Sequence, residues 1–446
     1  MSLLLFTKKD LTRLIVPLVI EQLFAITVGM ADSVMVSTAG EAAISGVSLV
    51  DTINLLLVYI FSALSAGGAV VISQLLGKGN PIESRHAAKQ LIWVVTAMAT
   101  FLALIAIVFR KPILSLIFGS IEADVMKNAL IYFLFTAMSY PFLGVYNACA
   151  AIFRSMGNSK ISMVASLIIN CINVSGNAIL IFGFGLGAAG AAIATLVARV
   201  VGAVIMIALL KNKKNIIFIE KLFSFKPDFK IIKRICAIGI PTGFENGLFQ
   251  FGKVLTQSVV ATFGTAQIAA NAVGNTLAAF QYMPGIAIGL ALVTVVGQCV
   301  GAGKPDDAKK YAKKLIGVTY MLMFGVTVGL LLCLKPIINF YGLGAESAHL
   351  AKLLIITHSI AICLVHPCAF AITNAFRAAS DVKYPLVISI TSMWVFRVGF
   401  SYLCGLYLGW GAMGVWLAMY CDWIFRACVY VTHFVRGKWL TKYKAE

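Results

Sequence analysis

Gln74-Leu75-Leu76-Gly77-Lys78-Gly79-Asn80-Pro81 and Gln298-Cys299-Val300-Gly301-Ala302-Gly303-Lys304-Pro305 carry the same glutamine, glycines and proline 224 residues apart. At that offset Pro17 and Glu21 fall on Pro241 and Glu245, and Gly40 on Gly264. Ala88 and Lys89 fall on Ala312 and Lys313, and Gly187, Ala188 and Gly190 on Gly411, Ala412 and Gly414. So many matches in one register make the chain an internal duplication. The two quoted stretches follow apolar segments rather than strands and lack a Walker pattern, so turn formation accounts for them better than phosphate binding.

The apolar segments set the solvent. Of 446 residues, 60% are hydrophobic and only 12% charged, with a mean hydropathy of +0.94. Most of such a chain belongs in lipid, where a spanning helix needs roughly 20 mainly apolar residues. Twelve segments of that length are expected, at 11–36, 44–74, 88–112, 126–153, 161–183, 187–210, 235–262, 268–300, 311–335, 348–376, 384–408 and 411–435. Each half then holds six. An even number makes both halves enter the membrane from the same side, related by an axis along its normal. The expected fold is an all-α membrane protein of two six-helix lobes related by a pseudo-two-fold axis. The expected division is 1–210 for one lobe, 211–234 for a basic linker, and 235–446 for the other lobe and its tail.

A net charge of +19 invites a nucleic-acid reading, but the placement of the charge opposes it. Of the 36 basic residues, 27 fall in alternate loops and at the ends: around Lys8, Lys78, Arg154, 211–234, Lys304, Arg377 and the tail through Lys444. The intervening loops hold only Arg110, Lys111, Lys127, Lys335 and Lys352. The positive-inside rule then places both termini in the cytoplasm. The first apolar run is too long for a signal-peptide core and lacks a cleavage pattern. The ten cysteines lie in or beside apolar segments without CxxC or CxxH spacing, and read as buried thiols.

Ionised groups inside lipid cost on the order of 3 kcal/mol each and usually have a task or a partner. Five acids stand inside apolar segments: Glu21, Asp32, Asp51, Glu245 and Asp422. Glu21 and Asp32 are eleven residues apart and so return to nearly one helix face. In the fifth segment Asn170, Asn173 and Asn177 share a face at i, i+3 and i+7. If that face meets Asp32, a carboxylate and neutral oxygens make a site for a monovalent cation; the alternative is hydrogen bonding between helices. The second half does not repeat this set: Thr256 replaces Asp32, and Arg397 takes the Asn173 position. Asp422 and Arg426 at i and i+4 are expected to neutralise each other, and Lys253 to be paired structurally. Glu245 keeps the place of Glu21, four residues after a proline, and His366 beside Pro367 is a candidate for titration near neutral pH. No nucleophile, metal or cofactor arrangement stands out, and no nucleotide-binding domain, so energy is expected from an ion gradient.

These residues resemble the multidrug and toxic compound extrusion (MATE) family of secondary transporters over essentially the whole chain. The resemblance rests on Ala31-Asp32-Ser33-Val34-Met35-Val36, the two quoted loops, Asn177 to Gly183, Pro241 to Glu245 and Phe376-Arg377-Ala378. It implies an inner-membrane exporter, monomeric and without cofactor, that exchanges a small organic, often cationic, molecule for Na+ or H+. By position, Asp32, Asn173, Asn177 and Thr195 would hold the coupling cation; Glu21, Asn170, Glu245 and His366 are secondary candidates. One branch of the family has a carboxylate where Asn177 stands, which leaves Asp32 the sole acid there. Rivals are a lipid-linked precursor or polysaccharide flippase, usually of fourteen helices, and a major facilitator transporter, expected to carry an Asp-Arg-rich loop where Gly77 to Pro81 stands.

Overall fold

The computed structural model describes residues 5–119, 122–220, 222, 224 and 226–443. Lys221 of the expected linker and Lys444 of the tail lie outside the described residues. Among the described residues there is no strand.

The helices are α1 Lys8–Ser37, α2 Glu41–Gly77, α3 Pro81–Val108, α4 Arg110–Phe118, α5 Ala123–Met138, α6 Tyr140–Ser155, α7 Ser159–Asn177 and α8 Gly187–Leu210. There follow α9 Phe229–Ala261, α10 Thr265–Gly301, α11 Pro305–Leu332, α12 Leu334–Phe340, α13 Ala345–Leu364, α14 Ile372–Ala378, α15 Lys383–Ser392 and α16 Gly411–Arg436. All twelve expected segments are helical. Among the described residues ten helical stretches are long and apolar enough to cross a membrane, and α5 with α6, bent by 44° at their junction, makes an eleventh. The twelfth, α9, has 33 residues, but it carries Lys230, Lys233, Arg234, Glu245 and Lys253, which lower its hydropathy. It begins at Phe229, inside the stretch expected as linker.

The duplication is visible in the backbone. Gly79 and Gly303 both take positive φ, 76° and 68°, in the turn that ends α2 and α10, a conformation open to glycine at no steric cost. Pro81 and Pro305 then start α3 and α11 at positions whose N–H groups need no helical partner. Asn80 caps α3 by accepting from the Glu83 N–H at 3.1 Å.

Thr7–Gly243 forms one compact unit and Phe244–Glu446 another, so the division falls inside α9; the N-terminal segment ending at Phe6 belongs with the second. Phe6 is tied there by its N–H, which donates to Tyr311 Oη at 3.0 Å, and by the Tyr311 hydroxyl, which donates to the Phe6 carbonyl at 2.8 Å. Lipid is as apolar as a leucine side chain, so close approach, not burial alone, holds helices together. In the first unit Gly67 of α2 meets α9: a Cβ there would stand 2.7 Å from the Gly239 nitrogen and the Ile235 carbonyl oxygen. Pro17 interrupts α1 and removes the partner of the Arg13 carbonyl. The Ser159 hydroxyl supplies a donor at that break, at 2.6 Å from the Leu14 oxygen and 3.2 Å from that of Arg13, which fixes the start of α7 against α1.

Candidate functional site

From that anchor α7 runs alongside α1 and brings the expected amide face to Asp32. Asn177 Nδ2 donates to Asp32 Oδ1 at 2.8 Å. The buried Asn177 oxygen has no hydrogen-bond partner. The Asn173 amide satisfies its surroundings in one orientation. With its nitrogen toward Asp32 it donates to Oδ1 at 3.0 Å and Oδ2 at 2.9 Å, and its oxygen accepts from the Thr195 hydroxyl at 3.1 Å. Turned over, the amide would set its oxygen against the carboxylate oxygens of Asp32, acceptor against acceptor. Asp32, Asn173, Asn177 and Thr195 are therefore brought together. Asn170 is not among them; its amide donates to Ser166 Oγ at 3.4 Å.

A helical feature marks the place. Directly after Asn177 the chain widens into a π-helical stretch, Ala178–Gly183, and such stretches are frequent at functional sites. In the other unit π-helical stretches begin beside His366, at Pro367–Ala371, and carry Arg397, at Met393–Gly399.

The two proline-linked acids are clamped rather than free. Glu21 accepts from Ser162 Oγ at 2.9 Å, and Arg154 lies 3.6 Å away. Glu245 accepts from Ser389 Oγ at 2.7 Å and from Arg377 Nη2 at 2.8 Å. Both acids are buried. Asp422 and Arg426 pair as expected, at 2.7 Å. Lys253 departs from expectation: among the described residues its amine has neither an ion-pair nor a hydrogen-bond partner. The reason is positional, since the two acids that the sequence places inside the apolar segments of its unit, Glu245 and Asp422, are already engaged by Arg377 and Arg426. His366 sits in an aromatic cage, stacked on Phe370 at 4.6 Å and on Tyr282 at 6.3 Å and edge-on to Trp423 at 5.0 Å, with Nδ1 unpartnered.

Two networks escaped the sequence reading. In the first unit Asp51 accepts from Tyr132 Oη at 3.0 Å and Asn54 Nδ2 at 3.1 Å; Tyr140 Oη donates to Asn54 Oδ1 at 2.6 Å, and Arg199 Nη1 to Ser139 Oγ at 2.7 Å. Arg199, a charge in the middle of an apolar helix, was the signal that marked this cluster. In the second, His358 Nδ1 lies 2.6 Å from Gln281 Oε1, whose amide nitrogen donates to Ser359 Oγ at 2.8 Å. A cavity of about 720 Å3 opens at the Glu41 end of α2, lined by Glu41, Ser45, Ser48 and Glu122 among others; its lining does not include the Asp32 cluster.

The MatE family model matches residues 17–179 and again 241–403, two stretches displaced by the same 224 residues as the internal repeat. The chain is 27% identical over 447 residues to the Probable multidrug resistance protein NorM of Thermotoga maritima, covering 97% of this chain and 93% of that protein. It is 26% identical over 419 residues to the Uncharacterized transporter YisQ of Bacillus subtilis, covering 92% and 90%. A solved structure described as the outward-facing conformation of a multidrug resistance MATE family transporter of the MOP superfamily superposes with a TM-score of 0.91 at 20% identity, over 98% of this chain and 97% of that one. A MOP superfamily transporter from Pyrococcus furiosus superposes at 0.89 and 19% identity, over 97% and 96%. At such identities the structures speak for the fold. The family model, laid twice over both halves, speaks for kinship: this multi-pass membrane protein belongs to the MatE family of transporters.

Proposed function

We propose that the chain is a secondary exporter of the plasma membrane, with both termini in the cytoplasm, that moves organic, cationic or amphiphilic compounds outward in exchange for Na+ or H+. The observation that carries this reading is the Asp32 cluster: one carboxylate that accepts from the amides of Asn173 and Asn177, and one spare buried amide oxygen on Asn177. Hard monovalent cations take oxygen ligands, and a lone carboxylate with no basic partner bonded to it serves a proton equally well. Relatives named as multidrug resistance proteins, similar over nearly the whole chain, support the direction and substrate class.

An ion drives a conformational change only by binding one state better than another. Loading Asp32 turns the Asn173 amide over and passes the change to Thr195 on α8, so α1, α7 and α8 respond together. Glu21 and Glu245, each bound to an arginine, serve the scaffold in this reading. The duplicated halves divide the labour, with coupling confined to residues 1–210.

The test is reconstitution into liposomes loaded with a fluorescent organic cation, with a Na+ gradient and a pH gradient imposed separately. One of the two drives efflux in the native protein. Asp32→Asn is expected to abolish that efflux at unchanged expression; transport that survives the substitution overturns the assignment.

A further inference from the structure

The ionisable groups on the membrane-spanning helices of the two units have opposite sign. With Glu21 engaged by Arg154, the first unit keeps Asp32 and Asp51 against Arg199. With Glu245 engaged by Arg377, the second keeps Lys253, Arg397 and Arg426 against Asp422 alone, and Asp422 is bonded to Arg426. Among the described residues Lys253, whose side chain is exposed, has no carboxylate partner, and Arg397, partly buried, has only Asp422 as a nearby carboxylate, which is bonded to Arg426 instead. Arg397 donates to the Met419 sulfur at 3.2 Å and lies 5.5 Å from the centre of the Phe249 ring, contacts that engage little of its five-donor fork.

These two cations are neighbours. Gly252, the residue before Lys253, is in contact with Met393, and Phe251 meets Trp394 at 6.0 Å, so this turn of α9 lies along the π-helical stretch that carries Arg397. Arg397 is within electrostatic reach of Lys253. The depths agree as well. Lys253 is eight residues from the end of α9, about 12 Å at 1.5 Å per residue, and Arg397 is ten residues from the end, at Tyr407, of its π-helical run, which rises less per residue, in a hydrocarbon core about 30 Å thick. Two like charges at that depth raise each other's cost, and the cost is relieved by an anion bound to both.

We infer that Lys253 and Arg397 form an anion-binding site in the second unit, which takes the carboxylate or phosphate group of an aromatic or acyl amphiphile. The guanidinium plane matches a planar carboxylate or a phosphate edge through paired N–H donors, the lysine adds a mobile point charge, and Phe249, Phe251 and Trp394 supply apolar surface for the body of the ligand. The inference extends the transport reading by adding a recognised group of negative sign. It is tested by binding rather than by transport, so its failure leaves the Asp32 assignment standing.

The experiment uses the full chain in nanodiscs of phosphatidylcholine, titrated with 1-naphthoate, and with 1-naphthylmethylammonium as the control of opposite charge. Saturable naphthoate binding is expected, weakened tenfold or more in both Lys253→Gln and Arg397→Gln and retained in Lys253→Arg. A second set of nanodiscs contains phosphatidylglycerol. If the lipid stabilises the native protein to heat but not the two glutamine variants, and excludes naphthoate, the anion is a headgroup phosphate; if naphthoate binds equally in both bilayers, it is a free acid. Naphthoate binding that survives both glutamine substitutions, or neither probe having an effect on the native protein, overturns the inference. Should Arg397→Gln fail to fold, the contrast between Lys253→Gln and Lys253→Arg decides alone.

Discussion

Arg377 Nη2 lies 2.8 Å from Glu245 Oε2, and both side chains are largely buried. The first half repeats the arrangement with Arg154 and Glu21 at 3.6 Å. In each, the acid stands one turn after a proline inside its helix, with a serine as a further donor, Ser162 of α7 in the first half and Ser389 of α15 in the second. Taking away one member of a buried pair strands the other in a dry environment, at a cost of about 3–5 kcal/mol, whereas replacing both with apolar residues of similar size costs far less. Arg377→Met is therefore expected to lower the melting temperature in detergent more than the double variant Arg377→Met with Glu245→Leu. Equal melting of the two would show that the pair is not the stabilising element.

The duplicated scaffold was legible because lipid permits so few solutions: long apolar segments must be helices, and the glycines and prolines of the turns recur at one offset. The approach of α7 to Asp32 was legible in part, from Asn173 and Asn177 on one face; Asn170 lies farther along the helix and bonds within it. The neighbourhood of Lys253 and Arg397 was not, since it depends on Gly252 contacting Met393, a tertiary event that no spacing encodes. The Asp51 network was hidden for the same reason, its tyrosines coming from two other helices.

Gly67 and Gly239 face each other's backbones where α2 crosses α9. A Cβ on Gly239 would stand 2.8 Å from the Leu64 Cα, and one on Gly67 would stand 2.9 Å from the Gly239 Cα. Backbone atoms have no rotamer by which to retreat. Gly67→Ala and Gly239→Ala are each expected to destabilise the protein by about 1–3 kcal/mol, the usual cost of overpacking. Gly29→Ala, where no atom lies within 4 Å of the added carbon, is the control. Thermal melts of the three variants compare them; an unshifted Gly67→Ala would refute the close crossing.

Outside the membrane, Asp228 ties the chain between the halves to α3. Its Oδ1 accepts from the Ile231 N–H at 3.2 Å and the Lys230 N–H at 3.0 Å, while Oδ2 lies 3.2 Å from His86 Nε2. The Ile231 amide foremost, with that of Lys230 and the His86 ring, holds its carboxyl below the ordinary carboxylate value. A depressed folded pKa contributes stability above the unfolded pKa, about 4, and loses it as pH falls through the folded value. Melting temperature is expected to drop as pH falls below about 4 more steeply in the native chain than in Asp228→Asn, with no difference from this group above about pH 5. Parallel profiles would exclude the contribution.

Thr195 touches the candidate cation site only through Asn173, to whose amide oxygen its hydroxyl donates at 3.1 Å. That bond helps hold the Asn173 amide in place beside Asp32, and a partner that orients a ligand is typically worth 10- to 100-fold in ion affinity. Thr195→Val keeps the shape and removes both the donor and the acceptor. With whichever ion proves to drive efflux, the half-saturating concentration is expected to rise about 10- to 100-fold while the rate at saturating ion is retained. Thr195→Ser restores the native value. A fall in maximal rate with no change in half-saturation would place Thr195 in the motion of α8 rather than in the orientation of Asn173, and the amide would then turn without its help.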